Sequence, residues 1–322
     1  MKILITGCAG FIGYSLTNYL LKNNNIIVYG IDNIDTYYDV KLKLKRLSIL
    51  KKNKKFFFKK IDLIDKKSLE KIFETNKINY VINLAAQAGV RHSIEDPKKY
   101  FDSNILGFFN ILNLSKDYKI KHLIYASTSS VYGDSKSFPL KEDFNTDKPE
   151  SFYASSKKCN EVMAYSYSSI YKIPTTGLRF FTVYGPYGRP DMALFKFTKL
   201  ILSGKKIDVY NKGKHTRDWT YIDDIVKSIN KIIHKIPRKK TPYQIINIGS
   251  NNPRKLNDFI NILYKLLGKR KNVNFLNFQK GDVKKTHASI SKLFTLTKFK
   301  PKTDIETGIK LFIDWYKKFY KN

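Results

Sequence analysis

The chain has 322 residues, 42% of them hydrophobic, enough to bury a core in one large or two closely joined domains. Its formal net charge of +33 raises the question of nucleic acid, most sharply over residues 41–71, where 13 basic and three acidic residues surround Phe56, Phe57 and Phe58. Only eight of the 60 basic residues are arginines, however, and phosphate and base readers favour the arginine fork; we read the lysines as solvated surface and expect no nucleic-acid partner.

In chain order, apolar runs over residues 3–5, 26–31, 56–58, 80–84 and 123–125 read as strands. Between them Ile12, Leu16, Tyr19 and Leu20, then Leu69, Ile72 and Phe73, recur at helical spacing. Strand alternating with helix implies a parallel sheet covered on both faces, the doubly wound α/β class. The first strand runs into Gly7, Gly10 and Gly13, a GxxGxxG loop opening a helix. Glycines there let the backbone approach a pyrophosphate, which the helix N-terminus holds. Cys8 makes residues 5–8 read like a lipobox, but three apolar residues after Lys2 are too few for a signal peptide. No run approaches the roughly 18 apolar residues of a membrane span, so we expect a cytoplasmic chain with no membrane partner. Two cysteines without a CxxC suit a reducing cytosol, and five scattered histidines give no metal-ligand spacing, so no metal is expected.

Asp32 ends the second predicted strand 19 residues past Gly13, where a carboxylate would accept from a ribose diol and repel a 2′-phosphate; this favours NAD over NADP. Asp62, after the third, is placed either to meet the adenine side or to cap the next helix. Past the fifth strand stand three hydroxyls in a row, Thr128, Ser129 and Ser130, with no acid among them. Hydroxyls at a strand end also serve to cap backbone groups. A long helix over about 153–171 opens with Tyr153 and Lys157, an i, i+4 pair on one face. A buried phenol titrates too high to be a base unless a lysine and a positive nicotinamide ring bring it down. A strand over 174–180 follows, the periodicity then weakens, and separate helices occupy the tail from about 251. We divide the chain into a nucleotide-binding domain, 1–181 with 221–250 returning to it, and a smaller lobe, 182–220 with 251–322. Amphipathic helices about 100–114 and 162–171 offer faces for a homodimer.

Together these residues resemble the extended short-chain dehydrogenase/reductase family over nearly the whole chain. Four stretches, IDNIDTYYDVKLKLKRL, AAQAGVRHSIEDP, GLRFFTVYGPYGRPDMALFKFTK and TRDWTYIDDIV, are similar to the UDP-glucuronate 4-epimerases within it. The resemblance implies a Rossmann-type sheet with a C-terminal substrate-binding lobe, bound NAD, and UDP-glucuronate as substrate. It implies that NAD is held by Gly7, Gly10, Phe11, Ile12, Gly13, Asp32, Asn33, Asp62, Leu63, Ala85, Ala86, Asn104, Tyr153 and Lys157. Tyr153 would be the base, with Thr128 and Lys157 beside it. Ser129, Ser130 and Thr182 would meet the sugar carboxylate, Arg189 and Arg217 the diphosphate, Asp282 the ribose, with Arg91 a further substrate contact. One departure is Ala288-Ser289, where relatives usually read Ala-Asp. Related dehydratases read Thr-Asp-Glu at the hydroxyl row, and related decarboxylases carry a glutamate where Ser130 stands. A row of neutral hydroxyls can hold a carboxylate but cannot drive elimination. The alternatives are a 4-epimerase of neutral or N-acetylated UDP-hexoses and a catalytically retired nucleotide-binding protein.

Overall fold

The computed structural model describes residues 1–278 and 283–320. The strands in chain order are β1 (Lys2–Thr6), β2 (Ile27–Asp32), β3 (Phe56–Lys60), β4 (Tyr80–Asn83), β5 (His122–Thr128), β6 (Thr175–Phe180), β7 (Thr182–Tyr184), β8 (Ile207–Val209), β9 (Thr216–Tyr221), β10 (Tyr243–Ile248), β11 (Pro253–Lys255) and β12 (Val273–Phe275). Seven of them form one parallel sheet in the order β10-β6-β5-β4-β1-β2-β3. The chain winds outward from β1 to β3, then crosses back to β4 and winds the other way. Such a reversal leaves a crevice at the carboxyl ends of the strands on either side of it, here β1 and β4.

The sequence pattern accounts for the layers. On β1, Ile3 and Ile5 pack in one cluster with Leu16 and Leu20 of the helix Phe11–Leu20. Leu4 points the other way, to Leu69 and Phe73 of the helix Lys66–Asn76 and Phe108 of the helix Gly107–Asp117. This period-two alternation with apolar residues on both faces is what a central parallel strand requires. The edge strand β3 instead buries Phe56 and exposes Phe57 and its lysines, which blunts the edge against further pairing.

The predicted strands of the first half form within one to three residues of their expected limits. The region of weak periodicity hides β7, β8 and β9, strands too short or too unevenly buried to show a period. β7 and β9 pair in parallel, with β11 antiparallel on β9, and β8 pairs with β12. The chain leaves the main sheet after β6 and enters the small one at Thr182, which therefore stands at the seam between them. Trp219 of β9 stacks on Phe259 at 4.2 Å, and Phe195, Phe312, Trp315 and Tyr316 pack as an aromatic cluster beyond it. The helix expected over 100–114 is broken by a π-helical stretch, Phe101–Leu106, before Gly107–Asp117 continues it. Among the described residues no helix is long and apolar enough to cross a membrane.

Candidate active site

A cleft of about 780 Å³ opens at the crevice. Its floor is the glycine loop. Gly7 has φ +69°, and a Cβ there would lie 2.7 Å from the Ala85 amide; a Cβ at Gly13 would run into the Gly7 carbonyl. Only glycine fits both places. Gly10 caps the helix without a side-chain bond, so Phe11, Ile12 and Gly13 present its first turn to the cleft. Asp32 closes β2, buried, accepting from the amides of Ala9 at 3.0 Å and Ile34 at 2.8 Å. Burial raises its pKa, and those bonds with the charge of Lys43 oppose the rise. Asp62 accepts from Asn33 Nδ2 at 2.8 Å and from the Ile64 amide at 3.2 Å. The next helix is capped by Asp65, whose Oδ1 accepts from the Ser68 amide, so Asp62 is left to the cleft. Leu63, Ala85 and Ala86 line the same wall. Asn104 stands behind it, its side chain clasping both backbone groups of Gln87 at 2.8 and 3.0 Å and reaching Ser156 Oγ at 2.9 Å.

Ser151 caps the helix Phe152–Tyr171 through the Ala154 amide, which sets Tyr153 and Lys157 on its inward face. Burial pushes the Tyr153 phenol up, while a hydrogen bond with Thr128 and the charge of Arg189 pull it back. Lys157, expected together with the nicotinamide ring to bring that phenol down, lies one turn along the same helix, 2% exposed, and burial drops its ammonium from 10.5 to about 8. A buried ammonium of this kind suits ribose hydroxyls. With the glycine cradle and the carboxylate of Asp32, it makes the residues present fit a dinucleotide. The folded value lies below the unfolded one, so the unfolded chain holds the extra proton between about pH 8 and 10.5. The residue's contribution to stability therefore rises with pH across that window. Replacing Lys157 with Met should remove roughly 3 kcal/mol of the cofactor-free protein's gain between pH 7 and 11. Urea unfolding of both proteins measures it, and equal gains would show that the ammonium is not suppressed.

Thr128 ends β5, donates to Ser130 Oγ and accepts from the Ser130 amide, both at 3.1 Å. The backbone-capping role of the row is thus real, and Ser129, Ser130 and Thr182 all line the cleft. Arg91, Arg189 and Arg217 reach the same cleft. Arg91 lies over the Tyr210 ring at 5.0 Å, and Arg217 Nη1 donates to the carbonyls of Thr216 and Lys284. Arg189 is held by Asp191 through Nε at 3.0 Å and Nη2 at 2.5 Å. Asp282 lies outside the described residues. Ser289, the departure from the family pattern, is buried away from the cleft lining, two residues before the helix Ser291–Thr297.

Several residues in or behind the cleft wall went unread in the sequence. Lys43, buried beside Asp32, donates to the Asp35 carbonyl at 2.6 Å. Arg46, fully buried, joins the Ala9 carbonyl of the glycine loop to the Tyr187 carbonyl beside Arg189. Both come from the basic segment that reads as surface. Their signal is their place on the apolar face of the helix Val40–Leu50, with Leu42, Leu47 and Leu50. Gln87, Tyr37 and Asp191 also line the cleft.

The model of the NAD dependent epimerase/dehydratase family matches residues 3–249. The chain is 49% identical to Protein CapI of Staphylococcus aureus over the whole of both. It is 45% identical to the UDP-glucuronate 4-epimerase of Thermodesulfobacterium geofontis, over 98% of this chain and 95% of that one. The crystal structure of the UDP-glucuronic acid 4-epimerase from Bacillus cereus, in complex with UDP-glucuronic acid and NAD, superposes with a TM-score of 0.94. It is 37% identical, over 99% of this chain and 100% of that one.

Proposed function

The chain belongs to the NAD dependent epimerase/dehydratase family, and on that premise we propose that it interconverts UDP-glucuronate and UDP-galacturonate, with NAD as resident cofactor. The observation that carries the reading is the wall beside Tyr153. It presents Thr128, Ser129, Ser130 and Thr182, hydroxyls throughout, with no acid among them for elimination.

The glycine cradle would take the diphosphate of NAD, Asp32 a ribose diol, Asp62 and Asn33 the adenine side, and Lys157 the second ribose. The chemistry the dinucleotide supplies when bound is reversible hydride acceptance from the sugar C4. Tyr153, as phenolate, takes the proton of the 4-hydroxyl, and Thr128 hydrogen-bonds the same oxygen. Arg189 and Arg217 hold the diphosphate while the 4-keto sugar turns about its linkage to present the other face. Ser129, Ser130 and Thr182 hold the carboxylate in each pose. Tyr153 then gives the proton back to the inverted alcohol. Incubation of the purified protein with UDP-glucuronate, followed by NMR of the products, tests this directly. UDP-galacturonate is expected, and its absence would overturn the reading.

A cytoplasmic location and a homodimer belong to the same reading. Both cysteines are free, as a reducing compartment keeps them. Phe109, Val162, Tyr165 and Ile170 leave apolar surface on the paired helices Gly107–Asp117 and Phe152–Tyr171. The lysine surface is read as solvation, so duplex DNA should bind weakly and let go by physiological salt. A filter-binding titration against salt checks this; sequence-selective, nanomolar binding at that salt would show a nucleic-acid site.

A further inference from the structure

Behind the wall that carries the hydroxyl row lies a buried ionic network that the proposed chemistry leaves unused. Glu161 and Arg179 are each 3% exposed, and the guanidinium grips the carboxylate twice, Nε to Oε1 at 2.9 Å and Nη2 to Oε2 at 2.8 Å. The same Oε1 accepts a 2.6 Å bond from Ser127 Oγ. Arg179 also lies over the Tyr132 ring at 4.7 Å and donates to the Glu142 carbonyl at 3.2 Å. Tyr132 in turn donates to Asn247 at 2.7 Å. A buried ion pair avoids being a liability only when its remaining valences are met in this way.

Its place in the chain gives it meaning. Glu161 stands one turn beyond Lys157 and two beyond Tyr153 on the inward face of one helix. Ser127 immediately precedes Thr128, and Arg179 is its register partner on β6. The strand end is therefore tied to this helix through Ser127 and Glu161, one residue before the hydroxyl row and two turns beyond Tyr153. Glu161 and Arg179 do not line the cleft, and Ser127, which does, gives its hydroxyl to Glu161, so the effect of this tie is on the spacing of Thr128 and Tyr153.

We propose that Ser127, Glu161 and Arg179 are positioning residues that clamp the hydroxyl row in register with Tyr153, and so keep the substrate carboxylate from leaving. This rests on the reading of the chain as a UDP-glucuronate 4-epimerase. Oxidation at C4 makes the uronate a β-keto acid. When the C5–C6 bond stands perpendicular to the ketone plane, it breaks: its electron pair passes into the C4 carbonyl as an enolate, carbon dioxide departs, and water protonates C5. An epimerase has to deny that alignment through every turn of the sugar. The row that does so is only as rigid as the strand end beneath it.

Ser127→Ala removes one donor and leaves the Glu161–Arg179 pair in place. From UDP-glucuronate it is expected to raise the decarboxylated fraction of product about tenfold, the factor that one hydrogen bond to a charged group carries. Ser127→Thr, which restores a hydroxyl, should return it. Hydrogen-exchange mass spectrometry reads the clamp without substrate: peptides covering residues 128–132 should exchange about tenfold faster in Ser127→Ala, with a Tm lowered by no more than about 3 °C. Unchanged exchange would overturn the clamp. Faster exchange with an unchanged product ratio would overturn its role in selectivity. A wild type that makes no UDP-galacturonate would remove the functional reading instead, and the exchange result would still decide the clamp. Should Ser127→Ala not fold, Ser127→Cys, a weaker donor of similar size, carries both measurements.

Discussion

Tyr153→Phe is expected to lower turnover of UDP-glucuronate at least about a thousandfold, the upper part of what a positioned acid–base group supplies. The substitution removes one oxygen and keeps the ring, which lies edge-on to Tyr100 at a centroid distance of 6.2 Å, so the fold and the dinucleotide cradle should survive. No neighbour can take over. Thr128 is a neutral alcohol, too weak a base, and burial lowers the Lys157 ammonium only to about 8, so at neutral pH it has no lone pair to accept the proton. The variant should still release NAD on denaturation, which separates loss of the base from loss of the cofactor. A near wild-type rate in folded protein would show that another group takes the proton.

The main sheet was legible because its strands are buried on both faces and read as apolar runs such as Ile3, Leu4 and Ile5. The glycine loop, Asp32 and the Tyr153–Lys157 pair were legible because each is a local pattern whose chemistry depends on spacing within one or two elements. Thr182 is different. That it lines the same cleft as the hydroxyl row follows from the chain switching sheets after β6, and three residues of β7 carry no periodicity that would announce it. Lys43 and Arg46 are hidden for another reason. In a chain with 52 lysines a basic helix looks like surface, and only the pairing of two cations with Leu42 and Leu47 on one face betrays them. The grip of Asp191 on Arg189 is close in sequence, but its link to Tyr37 at 3.4 Å joins loops 154 residues apart and depends on their packing over the cleft.

UDP-glucuronate should exceed UDP-glucose by at least about a hundredfold in kcat/KM, or roughly 2.7 kcal/mol. The two sugars differ only at C6, carboxylate against hydroxymethyl, so the difference measures the wall around that carbon. Hydrogen bonds to an ionised acceptor are roughly twice as strong as neutral ones. The hydroxyl row is arranged to give them. Thr128 donates to Ser130 Oγ, so Ser130's own proton is free to point onward into the cleft, and donors in a chain strengthen one another. Ser129 and Thr182 add two more hydroxyls around the same space. A hydroxymethyl group offers one oxygen to three donors and leaves the others to find water in a partly enclosed wall. It also brings a proton of its own, which only one of the three oxygens can accept. Initial rates for both sugars at equal enzyme, followed by NMR, decide the matter, and comparable values would assign the chain to the epimerases of neutral UDP-hexoses.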